Sequence, residues 1–179
     1  MKYDSSAPNS VSSSINHDKL SDVQICVEMT ENVSDLSQLE NTADYIIRAK
    51  VMPYSENIVN NISGYTKTKL EIIDSLKGTL ESGDEIYIRE PYYTNEINGN
   101  EITIHRDNYN SSEIGKEYIF FLSKYPNTDI YGLRFATKGR YIVPGAETLR
   151  KPTISDSSEC NMTVEYEQLY KQVYQKYIK

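Results

Sequence analysis

Two histidines, two cysteines, scattered carboxylates and 16 tyrosines are the raw material for chemistry in this 179-residue chain. His105 stands in "TIHRDN" beside Arg106 and Asp107, which by composition is an acid–base trio. Successive strand residues point to opposite faces, so three in a row cannot converge, and His105 reads as a surface histidine. The chain holds no GxSxG, HExxH, Walker or GxGxxG pattern, so no nucleophile elbow, zinc helix or phosphate cradle is written into it. "DSSEC", Asp156 to Cys160, offers oxygen ligands but lacks the spaced acids and the glycine of a calcium loop. The expectation is therefore a protein with no catalytic residue, no metal ligand and no cofactor.

Cys26 and Cys160 bracket the region that reads as ordered, and neither belongs to a CxxC or a Cys/His cluster. In an exported protein their pairing is the expected state; in a cytosolic one both would be buried thiols. A bridge closing more than 130 residues would stabilise the fold by about 4–5 kcal/mol in the chain-entropy description. Tyrosine supplies the other candidates. Tyr92 and Tyr93 leave a strand end in "PYYTNEINGN", and Tyr131 lies in "DIYGLRF". Exposed rings there suit a sugar, a peptide or a protein surface; the same rings would equally serve to cover a barrel end.

Charge narrows the partners. Lys and Arg number 19 against 26 Asp and Glu, for a net charge of −7, and the densest basic stretch, Lys138-Gly139-Arg140, holds two charges. That balance repels nucleic-acid phosphates and anionic lipid, so neither nucleic acid nor a lipid surface is an expected partner. The longest uncharged apolar run, "YIFFL" from Tyr118 to Leu122, is far short of the roughly 20 residues of a spanning helix. Membrane contact is expected only through an anchor outside this segment.

The elements that would position such residues are mostly strands. Residues 1–20, rich in Ser, Asn and Pro, read as a flexible tether, and 21–179 as a single domain. Ser21 to Met29 alternates through Val23, Ile25 and Val27, and "NVSDLSQLENTADY" carries the spacing of a short helix. "DYIIRAKVMPY" places Ile47, Ala49 and Val51 on one face, with Pro53 marking the exit and "NIVNNISG" as loop. "YTKTKLEIIDSLKG" alternates through Thr66, Thr68, Leu70 and Ile72, and a turn at Ser82-Gly83-Asp84 leads into Ile86 and Ile88. Asn98-Gly99 is the strongest hairpin signal. "IGKEYIFFLSKYP" is too apolar to be wet on both sides, and a short strand, Arg140 to Val143, follows a turn at Lys138-Gly139. The period then changes. Tyr166, Leu169, Tyr170, Val173 and Tyr177 share one face of a C-terminal amphipathic helix expected over 162–178. The whole reads as a mainly β fold, a five-stranded antiparallel barrel with a short N-terminal helix and a C-terminal helix.

"ADYIIRAKV", "LEIIDSLKGTLESGDEIYIREP", "IGKEYIFFL" and "GLRFATKGRYIVPG", taken in that order, resemble a pattern of exported proteins from Gram-positive bacteria. The resemblance covers about Asp44 to Gly145 and implies an OB-like barrel similar to netrin-like and tissue-inhibitor-of-metalloproteinase modules. Such inhibitors chelate a protease zinc through an N-terminal cysteine. Here the chain starts at Met1 and Cys26 is internal, so that mechanism does not carry over. Met1-Lys2-Tyr3 runs directly into polar sequence, so export implies a leader that this segment lacks. The expected function is a cell-surface or extracellular binding module without catalytic activity, taking a protein, peptide or glycan ligand. A secreted protease inhibitor and a single-strand nucleic-acid binder are the alternatives. The sequence sets no oligomeric state.

Overall fold

The computed structural model describes residues 22–25, 33–61, 63–107, 109–145 and 163–179. The tether expected over 1–20, the strand residues beyond Ile25, "DSSEC" and both Cys26 and Cys160 lie outside the described residues. The protein is mainly β with two α-helices. In chain order it runs β1 (Asp22–Ile25), α1 (Leu36–Thr42), β2 (Tyr45–Val59), β3 (Gly64–Lys77), β4 (Glu85–Glu90), β5 (Tyr92–Ile97), β6 (Asn100–Arg106), β7 (Glu117–Lys124), β8 (Ile130–Leu133), β9 (Arg140–Ile142) and α2 (Thr163–Val173). A 3-10 turn, Ala136–Gly139, precedes β9, and a π-helical turn, Tyr174–Ile178, extends α2.

Six strands form one sheet in the order β2-β3-β4-β8-β7-β9, and β2 also pairs with β7. The pairings therefore run in a circuit from β2 through β3, β4, β8 and β7 back to β2. β1, β6 and β5 form a separate three-stranded sheet. This corrects the expected single antiparallel set of five. β4 and β8 pair in parallel, as do β1 and β6. The reason lies in the excursion after Glu90. The chain leaves the sheet to make the β5–β6 hairpin and returns through β7, so β8 reaches the open edge of β4 running in the same direction. The hairpin turns where expected, with φ of 53° at Asn98 and 75° at Gly99, the pair of positive angles that a two-residue turn of this kind needs.

Alternation explains the packing. Ile47, Ala49 and Val51 of β2, Leu70 and Ile72 of β3, and Ile86 and Ile88 of β4 meet Tyr118, Phe120, Leu122 and Tyr131 in one core. The residues between those of β7, Ile119 and Phe121, face a second core with Ile46, Leu36, Leu39, Tyr141, Leu169 and Val173. β7 is dry on both sides, which is why "YIFFL" has no polar residue in it. A second correction concerns β2. It does not exit at Pro53 but continues to Val59, with its pairing to β3 interrupted between Val51 and Ser55. Proline cannot donate to a ladder, and a register break at that point leaves its missing N–H without consequence.

Among the described residues β9 pairs on one side only, with β7. α2 covers its other edge: the Tyr166 hydroxyl donates to the Arg140 carbonyl at 3.1 Å and the Tyr170 hydroxyl to the Ile142 carbonyl at 3.2 Å. Four residues of helix rise about 6 Å and two residues of strand about 6.6 Å, so hydroxyls at i and i+4 fit carbonyls at j and j+2. Further ties hold α2. Gln172 accepts from the Leu36 N–H at 3.0 Å, Lys138 bridges the Val33 carbonyl and the Glu165 carboxylate, and Tyr177 donates to Glu40. Tyr141 stacks on Tyr166 at 5.2 Å between ring centres, and Tyr166 on Tyr170 at 6.4 Å.

Burial pushes the Tyr166 phenol up to about 12 and raises those of Tyr141 and Tyr177 as well. Unfolded tyrosine ionises near 10. The stability these groups hold is thus complete below about pH 10 and is lost as pH climbs towards about 12, because the unfolded chain releases protons that the folded one keeps. An alkaline titration should show the Tyr166, Tyr141 and Tyr177 phenols ionising only together with loss of the far-ultraviolet dichroism. Replacing Tyr166 by Phe should lower stability by about 1–2 kcal/mol, since it strands a strand-edge carbonyl; urea unfolding should show a lower midpoint at unchanged slope.

Candidate functional site

Because Thr66, Thr68, Leu70 and Ile72 face inward from β3, and Ile86, Ile88 and Glu90 from β4, the residues between them must face out. These are Lys67, Lys69 and Glu71 on β3, with Tyr65 one step before them on the same parity, and Tyr87 and Arg89 on β4. The extension of β2 past Pro53 brings Tyr54 and Glu56 to the same face, and the turn after β7 brings Tyr125. The Arg89 guanidinium carbon lies 3.8 Å from the centre of the Tyr65 ring and 4.6 Å from that of Tyr125. Tyr65 reaches it from the β3 side of β4 and Tyr125 from the β8 side. Room for Tyr125 comes from Gly132, the residue opposite Arg89 on β8; a Cβ there would sit 2.8 Å from the Tyr125 ring. One step along the strands, the Lys67 ammonium lies 4.4 Å over the Tyr87 ring, and Tyr87 meets Tyr54 edge-on at 5.7 Å. Tyr54 and Tyr125 are the most exposed of these rings, at 42% and 39%. A shallow depression of about 380 Å³, lined by Lys124 to Asp129, opens beside Tyr125.

The charges on this face are not equivalent. Lys67 pairs with Glu56 at 3.6 Å and Lys69 with Glu85 at 2.6 Å. Among the described residues no carboxylate bonds to Arg89. The face therefore presents flat rings, neutralised lysines and one arginine whose partners are aromatic. Rings of this kind stack with other rings or with the apolar face of a sugar, and the arginine edge donates hydrogen bonds. None of these groups is a nucleophile with an adjacent base.

A second polar constellation is closed. Glu90, 1% exposed, accepts from Thr68 Oγ1 at 2.5 Å, from Tyr109 Oη at 2.6 Å, and from both the N–H and the hydroxyl of Ser112. Arg140 of β9 lies 3.5 Å from the same carboxylate and donates to Tyr109 Oη at 2.9 Å and to Ser112 Oγ at 2.7 Å. Its guanidinium stands 4.3 Å from the centre of the Tyr109 ring, and burial pushes the Tyr109 phenol well up. Tyr109 is wholly buried and Ser112 nearly so. The network ties the β6–β7 connection to β3, β4 and β9, with Glu90 and Tyr109 shielded from solvent.

The tyrosines singled out from sequence fall elsewhere. Tyr92 is half-buried, its ring parallel to His105 at 5.9 Å and to Tyr109 at 6.4 Å. Tyr93, 6% exposed, packs on Gly64, where a Cβ would come within 2.5 Å of its ring. Tyr131, also 6% exposed, pairs with inward-facing Ile88 and so belongs to the core, edge-on to Tyr45 at 5.3 Å. Tyr93 and Tyr131 are thus buried, which fits the second of the two readings of such rings, cover rather than contact. His105 Nδ1 lies 2.9 Å from the Tyr109 carbonyl oxygen. The residues that do share an open face, Tyr54, Tyr65, Tyr87, Arg89 and Tyr125, are not among those singled out from sequence. Their signal was the same period of two that picks out the core, read on the opposite parity.

Comparison with protein-family models and with curated proteins finds no match for this chain.

Replacing Arg140 by Leu should cost about 3–5 kcal/mol, because it leaves the Glu90 carboxylate buried without its cation. Replacing Glu90 by Leu alone should cost a similar amount, while the double replacement should cost clearly less than the sum. Urea unfolding of the four proteins in the cycle measures this.

Proposed function

We propose that this chain is a non-catalytic binding module, exported and held outside the cell, that takes its ligand on the outer face of β3 and β4. The fold we read is a five-stranded OB-like barrel with β9, the β1-β6-β5 sheet and the helices added around it. What supports that reading is the pairing circuit β2-β3-β4-β8-β7, with β4 and β8 parallel and the rest antiparallel. OB-type barrels present their second and third strands, and the flanking loops, to oligosaccharides or oligonucleotides. Here those strands are β3 and β4, and the flanking connections are 60–63 and 125–129.

The observation that carries the functional reading is the contrast between the two polar constellations. The Glu90–Arg140 network is enclosed and every member has a partner within the protein. The β3–β4 face is open and gathers four tyrosines around an arginine. The ligand expected there is a glycan, peptide or protein surface. A single-stranded nucleic acid is the second reading, favoured by the interleaving of Tyr65, Lys67, Tyr87 and Arg89. Against it stand Glu56 and Glu85, which neutralise two of the three cations, and a net charge of −7.

Backbone amide shifts recorded while titrating a panel of oligosaccharides, peptides and oligothymidylate test the site. Shifts should cluster at residues 54, 65, 87, 89 and 125, with every ligand recovered unchanged; shifts centred on the β5–β6 hairpin instead would refute it. Export has its own readout. Protein made in an oxidising compartment, denatured without reductant, should present no free thiol, since Cys26 and Cys160 would be paired.

A further inference from the structure

Resting on that reading of the face, we infer that Arg89 is the anchor for a carboxylate and that the ligand is an acidic, uronate-bearing polysaccharide. Tyr65 and Tyr125 flank the guanidinium from the β3 and β8 sides, so the group is held in place and its N–H edge is what remains for a ligand. Stacking reduces the hydration of a guanidinium and fixes its fork, and a fixed fork matches the two oxygens of a carboxylate. Lys67 and Lys69 have acidic partners on their own face. Among the described residues Arg89 has rings instead, which leaves its hydrogen-bonding edge for an acidic ligand.

The rest of the face selects the kind of molecule that brings the carboxylate. A nucleic-acid strand carries a charge at every nucleotide, and its phosphates would run past Glu56 and Glu85 on either side of the tyrosines. A polysaccharide with spaced carboxylates places one charge at Arg89 and lays uncharged sugar faces on Tyr87 and Tyr54. A peptide commonly joins a sheet by pairing with an unpaired strand edge. β3 and β4 each already have neighbours on both sides, so this face offers rings and side chains but no backbone ladder. Sugar rings need no ladder. Gly132 then has a role in recognition: its missing side chain lets Tyr125 lie against β8, where it holds Arg89 from that side.

The test uses the full chain, with calorimetric and amide-shift titrations of an oligosaccharide that alternates a uronate with a neutral sugar, its methyl ester, oligothymidylate and polyglutamate. The alternating uronate oligosaccharide should bind, and esterification should weaken it by roughly tenfold or more, the loss of one charge-assisted fork. Arg89→Gln should abolish the difference between acid and ester, and Gly132→Val should weaken binding of the acid by displacing Tyr125. Unchanged urea midpoints would show that both variants fold. Equal binding of acid and ester by the unaltered chain, with shifts at the tyrosines, would overturn the role of Arg89 and leave the face as a glycan site. Tighter binding of polyglutamate or oligothymidylate would overturn the ligand class. No shift on the face with any probe would overturn both this inference and the site it rests on.

Discussion

Both sides of β7 are dry, and the remainder of the protein is arranged to satisfy that constraint. A strand carrying Tyr118, Phe120 and Leu122 on one side and Ile119 and Phe121 on the other cannot be covered by a single layer. The pairing circuit encloses the first set. The second set needs a separate cover, and α1 and α2 supply it with Leu36, Leu39, Leu169 and Val173. The two helices lie far apart in sequence, yet they share the task of burying one face of one strand. That is why Gln172 caps the first turn of α1 and Tyr177 reaches Glu40 across the same junction.

Covering β7 creates an edge problem, which the tyrosines of α2 resolve. β9 is three residues long and, among the described residues, pairs only with β7, so its outer carbonyls would face the helix without partners. Phenylalanine would fill the space as well but leave those oxygens bare, and lysine would bring a charge into the cover. Tyrosine contributes a packing ring and a donor at its tip. The composition, 16 tyrosines against three phenylalanines, fits this use in part: Tyr166, Tyr170, Tyr109 and Tyr118 each spend a hydroxyl on a protein partner. The Tyr141 hydroxyl has no partner among the described residues, so the rule is not universal.

Much of this architecture was legible from alternation alone. The inward sets of β2, β3 and β4, the double burial of β7, the Asn98-Gly99 turn and the apolar face of α2 all follow from side-chain periods of two and 3.6. What escaped was non-local. Pro53 reads as a stop, because nothing in "KVMPYSENIV" announces that β3 breaks register there and lets β2 continue. The parallel pairing of β4 with β8 depends on where the chain goes between them, and no local pattern encodes it. The open face escaped for a related reason. "PYYTN" looked like the aromatic loop, whereas the rings that share a face come from four separate segments, brought together by a register visible only once the strands are paired.

The open face and the closed network are connected through two adjacent residues. Arg89 and Glu90 follow one another at the end of β4, carry opposite charges and cannot meet, because neighbours on a strand point apart. Glu90 turns inward and is bonded by Thr68, Tyr109, Ser112 and Arg140. With that side chain fixed, the parity of the strand end is fixed, and Arg89 has to emerge on the outer face between Tyr65 and Tyr125. A buried ion pair of this sort adds little to stability when weighed against an apolar replacement. Its value lies in register. A slip of one residue would expose the Glu90 carboxylate to its own face and bury the guanidinium in a core of isoleucine and phenylalanine. The enclosed network is therefore what holds Arg89 on the outer face, between Tyr65 and Tyr125.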